Sequence, residues 1–164
     1  MGRHPIERRA AKGCPPRFVC PIEGVGKGWK GHVGSGSAMD IIGSGLDAIE
    51  IQRIASSITR YGERFLRRIF TDGEMAYCQR KRDAASSFAA RFAAKEAAMK
   101  ALGTGYSRGV HWVGIEVVRH HGPPRLQFHA GAARRLAEMG AARSLLTLTH
   151  SRDLAIAHVL LFRG

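Results

Sequence analysis

From Met39 onward, apolar residues recur with periods that change along the chain. Ile41 and Ile42 open a short strand that runs into Gly43-Ser44-Gly45. Ile51, Ile54 and Ile58 then follow at helical spacing, which predicts a helix over residues 48–58. Phe65, Leu66, Ile69 and Phe70 make a second helical face. Thr71 is suited to cap a third helix, and Glu74, three residues on, completes a capping box. That helix carries Met75 and Cys78. The longest helical run is Ala-rich; it starts at Asp83 and runs to Leu102, where Gly103 and Gly105 end it. Beyond it the period shortens. Val110, Trp112, Ile115, Val117 and Val118 predict one strand, and Leu126 and Phe128 another, after the turn signal Gly122-Pro123-Pro124. Ala130 to Met139 reads as a short helix closed by Gly140. Leu145, Leu146 and Leu148, then Leu154, Ile156, His158, Leu160 and Phe162, predict two strands joined by a Ser151-Arg152-Asp153 turn. Helices early and strands late predict an α+β fold rather than an alternating α/β one.

Residues 1–38 show no such period. Glycine recurs at 24, 26, 28, 31, 34 and 36, and the stretch ends in Gly34-Ser35-Gly36-Ser37, a linker-like composition. They are expected to be a disordered or leader-like extension, with residues 39–164 as the folded domain and Met39 as a candidate native start. Finding Gly2 or Arg3 at the amino terminus of the native protein would refute that start.

Composition narrows the class. At 164 residues the chain suits one domain. No apolar run reaches the roughly 18 residues of a membrane span, and no apolar core follows the basic first residues as a secretory signal would require. Cys14, Cys20 and Cys78 are an odd set without metal-site spacing, which points to free thiols in a reducing, cytoplasmic setting. The formal net charge is +13, and seven Lys+Arg against two Asp+Glu in residues 1–38 leave the domain at +8. Such a surface favours an acidic partner: nucleic acid, an anionic cofactor or an acidic protein. Phe88 and Phe92 sit at core-type helical spacing, which counts against a base-stacking nucleic-acid surface.

Asp47 stands just beyond the first short strand and its permissive glycines. It reads either as a ligand for a hard cation or, more commonly, as the cap of the next helix. Phe88, Phe92, Glu96 and Lys100 lie along one helical line, with Arg91, Lys95 and Met99 adjacent. Glu96 and Lys100 read as a surface ion pair or, under the aromatic rings, as a partly buried carboxylate needing a cation. Mg²⁺ takes one or two carboxylates plus substrate phosphates, which suits Asp47 and Glu96. Arg91, Lys95 and Lys100 would then face phosphate oxygens. His150, before the last turn, could serve a phosphate or a proton.

Three segments, IIGSGLDAIEIQRI (41–54), SSFAARFAAKEAAMKALGTG (86–105) and LTLTHSRDLAIAHVLL (146–161), together resemble the holo-acyl-carrier-protein synthases, the small group I 4′-phosphopantetheinyl transferases. FTDGEMAYC (70–78), GTGYSRGVHW (103–112) and HGPPRLQF (121–128) are similar to the family's connecting segments. The resemblance implies an α+β fold with N-terminal helices packed on a mostly antiparallel sheet, assembled as a homotrimer with active sites between subunits. It implies transfer of the 4′-phosphopantetheine arm of coenzyme A to a serine of apo-acyl carrier protein, with Mg²⁺ and release of adenosine 3′,5′-bisphosphate. It carries metal binding to Asp47 and Glu96, and catalysis to Glu96 and Lys100. Arg91, His150, Ser151, Gly122 and Pro124 fall where the family contacts coenzyme A. Arg53 is the first candidate for the carrier, followed by Arg60, Arg64 and Arg67. No nucleic acid and no membrane enter this scheme. Ser44, Leu46, Ala90, Gly114 and Pro123 depart from the family's usual residues, and none of these departures falls on Asp47, Glu96 or Lys100.

Overall fold

The computed structural model describes residues 40–119 and 122–164. The expected extension, with Cys14 and Cys20, therefore lies outside the described residues, as do His120 and His121.

The elements run β1 (Ile41–Glu50), α1 (Ile51–Ile69), α2 (Asp72–Gln79), α3 (Ala84–Ala101), a short 3-10 turn (Trp112–Gly114), β2 (Ile115–Val118), β3 (Arg125–Phe128), α4 (Ala130–Glu138), β4 (Ala141–His150) and β5 (Leu154–Arg163). β5 lies between β1 and β4 in one antiparallel sheet, and β2 pairs with β3 in a second. The α+β expectation holds.

Alternation along β5 sets the main layer. Ala155, Ala157, Val159 and Leu161 are buried beneath α3, while Ile156, His158, Leu160 and Phe162 turn to the other face. α3 meets the sheet with small residues: Ala93, Ala94, Ala97, Ala98 and Ala101 are all buried. On the strand side, a Cβ on Gly45 would lie 1.9 Å from the Ala97 carbonyl oxygen, and one on Gly43 2.5 Å from that of Ala101. The glycines thus bring β1 against the α3 backbone at a distance no side chain would allow.

That contact corrects the sequence reading of β1. The Gly-Ser-Gly stretch does not end the strand, and Asp47 is not beyond it: both lie inside β1, paired with β5 as far as Glu50 opposite Leu154. The following helix starts at Ile51, not at residue 48. Its N-cap is Glu50, with no side-chain bond, so Asp47 does not cap it.

α1 is broken at Gly62, whose φ of +56° and ψ of −139° leave the helical region, so the two helical faces expected from sequence share one kinked element. The capping box on α2 is present, with Thr71 accepting from the Glu74 amide and the Glu74 side chain accepting from the Thr71 amide. Val110 and Trp112 do not join a strand. Val110 is buried in the loop, Trp112 opens the 3-10 turn, and only Ile115–Val118 is extended.

Candidate active site

β1 and α3, packed so closely, set two acids and a lysine side by side. Lys100 Nζ lies 2.8 Å from Asp47 Oδ1 and donates also to the Leu46 carbonyl at 3.0 Å. Lys100 therefore pairs across to the strand rather than with Glu96 one turn away. The Asp47 side chain is 15 % exposed and that of Lys100 51 %. Burial raises the pKa of Glu96 above the ordinary glutamate value; the Asp47 charge adds to this and Lys100 opposes it. Glu96 thus feels the charge of Asp47, and the Lys100 ammonium sits on Asp47.

A small divalent cation fits that arrangement, because it would offset both the burial and the Asp47 charge that raise Glu96. Among the described residues no group of three or more His, Cys, Asp or Glu side chains could hold a metal. The protein would therefore supply two carboxylates. Mg²⁺ accepts that number when substrate phosphates and water complete its shell.

Lys95 is no phosphate ligand. Its ammonium is fully buried, 2.7 Å from Glu74 Oε2, and donates to the carbonyls of Trp112 at 3.0 Å and Ile115 at 2.5 Å. The same Glu74 carboxylate accepts the Thr71 and Val117 amides. This node joins α2, α3, the 3-10 turn and β2. The turn in turn lays Trp112 on Phe92, ring centroids 4.8 Å apart, one helical turn before Glu96.

Arg91 and His150 line one cleft of about 220 Å³ with Tyr77, Ser86, Ser87, Ala90, Arg119 and Leu148. Arg91 is 5 % exposed. Its guanidinium lies 4.1 Å from the centre of the Tyr77 ring and donates to the Ser87 carbonyl at 3.3 Å, while its buried Nε has no partner. The clefts that contain Arg91 do not include Asp47, Glu96 or Lys100. The reason is helical geometry: Arg91 and Glu96, five residues apart, point about 140° from each other around the axis.

The remaining candidates scatter. Ser151 Oγ accepts the amides of Asp153 and Leu154, which holds the β4–β5 turn. Gly122 meets the Arg91 cleft through Arg119, whose Nε donates to the Gly122 carbonyl at 3.0 Å. Pro124 lines a different cleft with Pro123, Arg125, Leu126 and Arg143 to Leu146. Arg53, Arg60, Arg64 and Arg67 are all exposed on α1. Arg67 is paired with Glu63 at 2.7 Å, whereas Arg64 lines an open groove with Tyr61, Phe65 and Arg68. Sequence reasoning missed Tyr77 and Arg119. The one signal for Arg119 was a cation directly ahead of the Gly122-Pro123-Pro124 turn.

A family model described as the 4′-phosphopantetheinyl transferase superfamily matches residues 43–157. The chain belongs to that family. A holo-[acyl-carrier-protein] synthase of Koribacter versatilis is 50 % identical over 122 residues, which cover 74 % of this chain and 98 % of the relative. The crystal structure of the synthase from Neisseria meningitidis superimposes with a TM-score of 0.69 at 30 % identity, covering 74 % of this chain and 98 % of that one. The Bacillus anthracis synthase, solved with coenzyme A (3′,5′-ADP), gives a TM-score of 0.63 at 32 % identity over 77 % of this chain and all of that one.

Proposed function

We propose that Asp47, Glu96 and Lys100 form the reaction centre of a holo-[acyl-carrier-protein] synthase that is Mg²⁺-dependent. The reaction moves the 4′-phosphopantetheine arm of coenzyme A to a serine of apo-acyl carrier protein and releases adenosine 3′,5′-bisphosphate. The observation that carries this reading is the single ammonium set against two acids, at 2.8 Å from Asp47, beside a Glu96 raised by burial and by Asp47.

Asp47 and Glu96 would hold the cation, which when bound withdraws charge from the coenzyme A diphosphate and orients it. Glu96 serves as the proton acceptor. It takes the proton of the carrier serine as that oxygen bonds to the β-phosphorus. Lys100 presents its ammonium to the departing phosphate as the bridging P–O bond breaks. Arg91 and His150 hold a phosphate at the nucleotide end, and the unpartnered Arg91 Nε supports that role.

Two observations support a homotrimer with sites shared between neighbours. Arg91 and Glu96 diverge around α3 in one chain, so one ligand reaches both more readily across an interface. The outer sheet face carries an apolar patch, with Leu46 59 % and Leu145 52 % exposed beside Ile156, Leu160 and Phe162, interspersed with Ser44, Thr147, Thr149 and His158. Three copies of that face set around a common axis would bury it. Arg53, exposed at the start of α1, steers the acidic carrier. No helix among the described residues is long and apolar enough to cross a membrane, and the reading places the enzyme in the cytoplasm.

The test mixes the protein with apo-carrier, coenzyme A and Mg²⁺. The carrier should gain on the order of 340 Da, the mass of one arm in a metal-assisted transfer, and a chelator should prevent it. An unchanged mass with a verified carrier overturns the assignment.

A further inference from the structure

Three side chains, Tyr77, Arg91 and Arg119, line two neighbouring clefts at once. One cleft continues over Gly73, Arg80, Glu116, Val117 and Val118; the other holds His150 and no carboxylate. Glu116 brings little free negative charge to the first, because Thr71 Oγ1 donates to it at 2.7 Å and His129 Nε2 meets it at 3.1 Å.

The Tyr77 ring carries the Arg91 guanidinium at 4.1 Å and the Lys81 ammonium at 4.4 Å. Burial pushes the Tyr77 phenol up, but the Lys81 hydrogen bond and the charges of Lys81, Arg91 and Arg119 together leave it below the ordinary tyrosine value. Cations thus gather around one phenol, and among the described residues lining the two clefts the one carboxylate, Glu116, is held by Thr71 and His129. Arg119 is exposed at the end of β2, yet its Nε is fixed on the Gly122 carbonyl at 3.0 Å. A guanidinium held by one nitrogen keeps its remaining N–H groups on a defined line, which suits a phosphate oxygen pair.

We propose that Arg119, anchored by Gly122 and set beside the Tyr77–Arg91 stack, is a further specificity-determining residue that binds the ribose phosphate monoester of the coenzyme A nucleotide. This rests on the nucleotide-end role given to Arg91 and His150 above. The diphosphate belongs with Asp47 and Glu96, so the anion left for a separate cationic cleft is the monoester. A dianion needs more than the Arg91 fork, and Arg119 supplies the second guanidinium.

The experiment is calorimetric binding of adenosine 3′,5′-bisphosphate and adenosine 5′-monophosphate to the wild type, Arg119→Met and Arg119→Lys, without metal or carrier. Wild type should prefer the bisphosphate. Arg119→Met should weaken the bisphosphate by about tenfold, as loss of one charge-assisted contact does, and leave the monophosphate unchanged. Arg119→Lys should recover part of the loss. In turnover, Arg119→Met should raise the KM for coenzyme A by a similar factor with kcat within about twofold. Unchanged bisphosphate affinity in Arg119→Met, or equal losses for both nucleotides, overturns the role, as does a wild type that does not distinguish them. A wild type that binds the bisphosphate selectively but never modifies a carrier overturns the transferase reading and leaves the Arg119 role standing.

Discussion

Lys95 and Glu74 form an ion pair of 2.7 Å in which neither side chain meets solvent. The node draws its partners from α2, α3, the 3-10 turn and β2, so the pair fixes how α3 is rotated against β2. Removing one partner leaves a buried charge. Lys95→Met should therefore destabilise the protein by about 3–5 kcal/mol. The double variant Lys95→Met/Glu74→Gln should recover much of that loss, because no charge is stranded. Urea unfolding of the three proteins checks the ordering, and a Lys95→Met protein as stable as wild type contradicts it.

Glu96 is stabilised in its protonated form, so its folded pKa lies above the unfolded one. The folded state then binds more protons in the interval between the two values. Its contribution to stability is present below the unfolded pKa and is lost as pH rises through the folded one. At neutral pH without metal, Glu96→Gln should melt at a higher temperature than wild type, while losing both turnover and the stabilisation that Mg²⁺ gives wild type. Thermal melts with and without Mg²⁺ decide this, and a lower melting point in Glu96→Gln would be the wrong sign.

Gly45→Ala places a methyl group where the Ala97 carbonyl oxygen already sits. β1 must shift off α3, at about 1–3 kcal/mol for overpacking. Since β1 carries Asp47 and α3 carries Glu96, activity should fall further than stability alone explains. Comparing kcat at a temperature where the variant is fully folded separates the two effects.

Arg53 is exposed and belongs to no ion pair among the described residues, unlike Arg67, which Glu63 partly neutralises. Arg53→Glu should raise the KM for carrier about tenfold or more with little change for coenzyme A, and Arg67→Glu should do less. Steady-state kinetics in both substrates tests the contrast.

Leu145→Glu puts a charge on the exposed apolar sheet face opposite Leu160. If the proposed trimer forms through this face, the expected result is a folded monomer by light scattering where wild type is trimeric, with activity lost. A trimeric Leu145→Glu protein would remove this face from the interface.

Features set by neighbours in sequence were legible from it. The Thr71–Glu74 box, the end of α3 and the β4–β5 turn all depend on contacts within a few residues. Features set by distant packing were not. Gly43 and Gly45 read in the sequence as the end of a short strand, yet they lie inside a longer one where the α3 backbone passes over them. Lys95 resembles a surface cation beside Arg91, yet Glu74 and two carbonyls enclose it. The line Phe92–Glu96–Lys100 was visible, but its pairing was not. Lys100 turns to Asp47, 53 residues earlier, and no helical spacing encodes that choice. Arg119 went unseen because its position depends on a turn carbonyl, not on a pattern.

The divergence of Arg91 and Glu96 around α3 has a genetic corollary. In a ring whose sites each draw one half from either neighbour, two defective copies can mend each other. Asp47→Ala subunits, silent alone, and Arg91→Met subunits, weakened in binding coenzyme A, should regain turnover when unfolded together and reassembled. Random assortment would leave about a quarter of the interfaces with both halves intact.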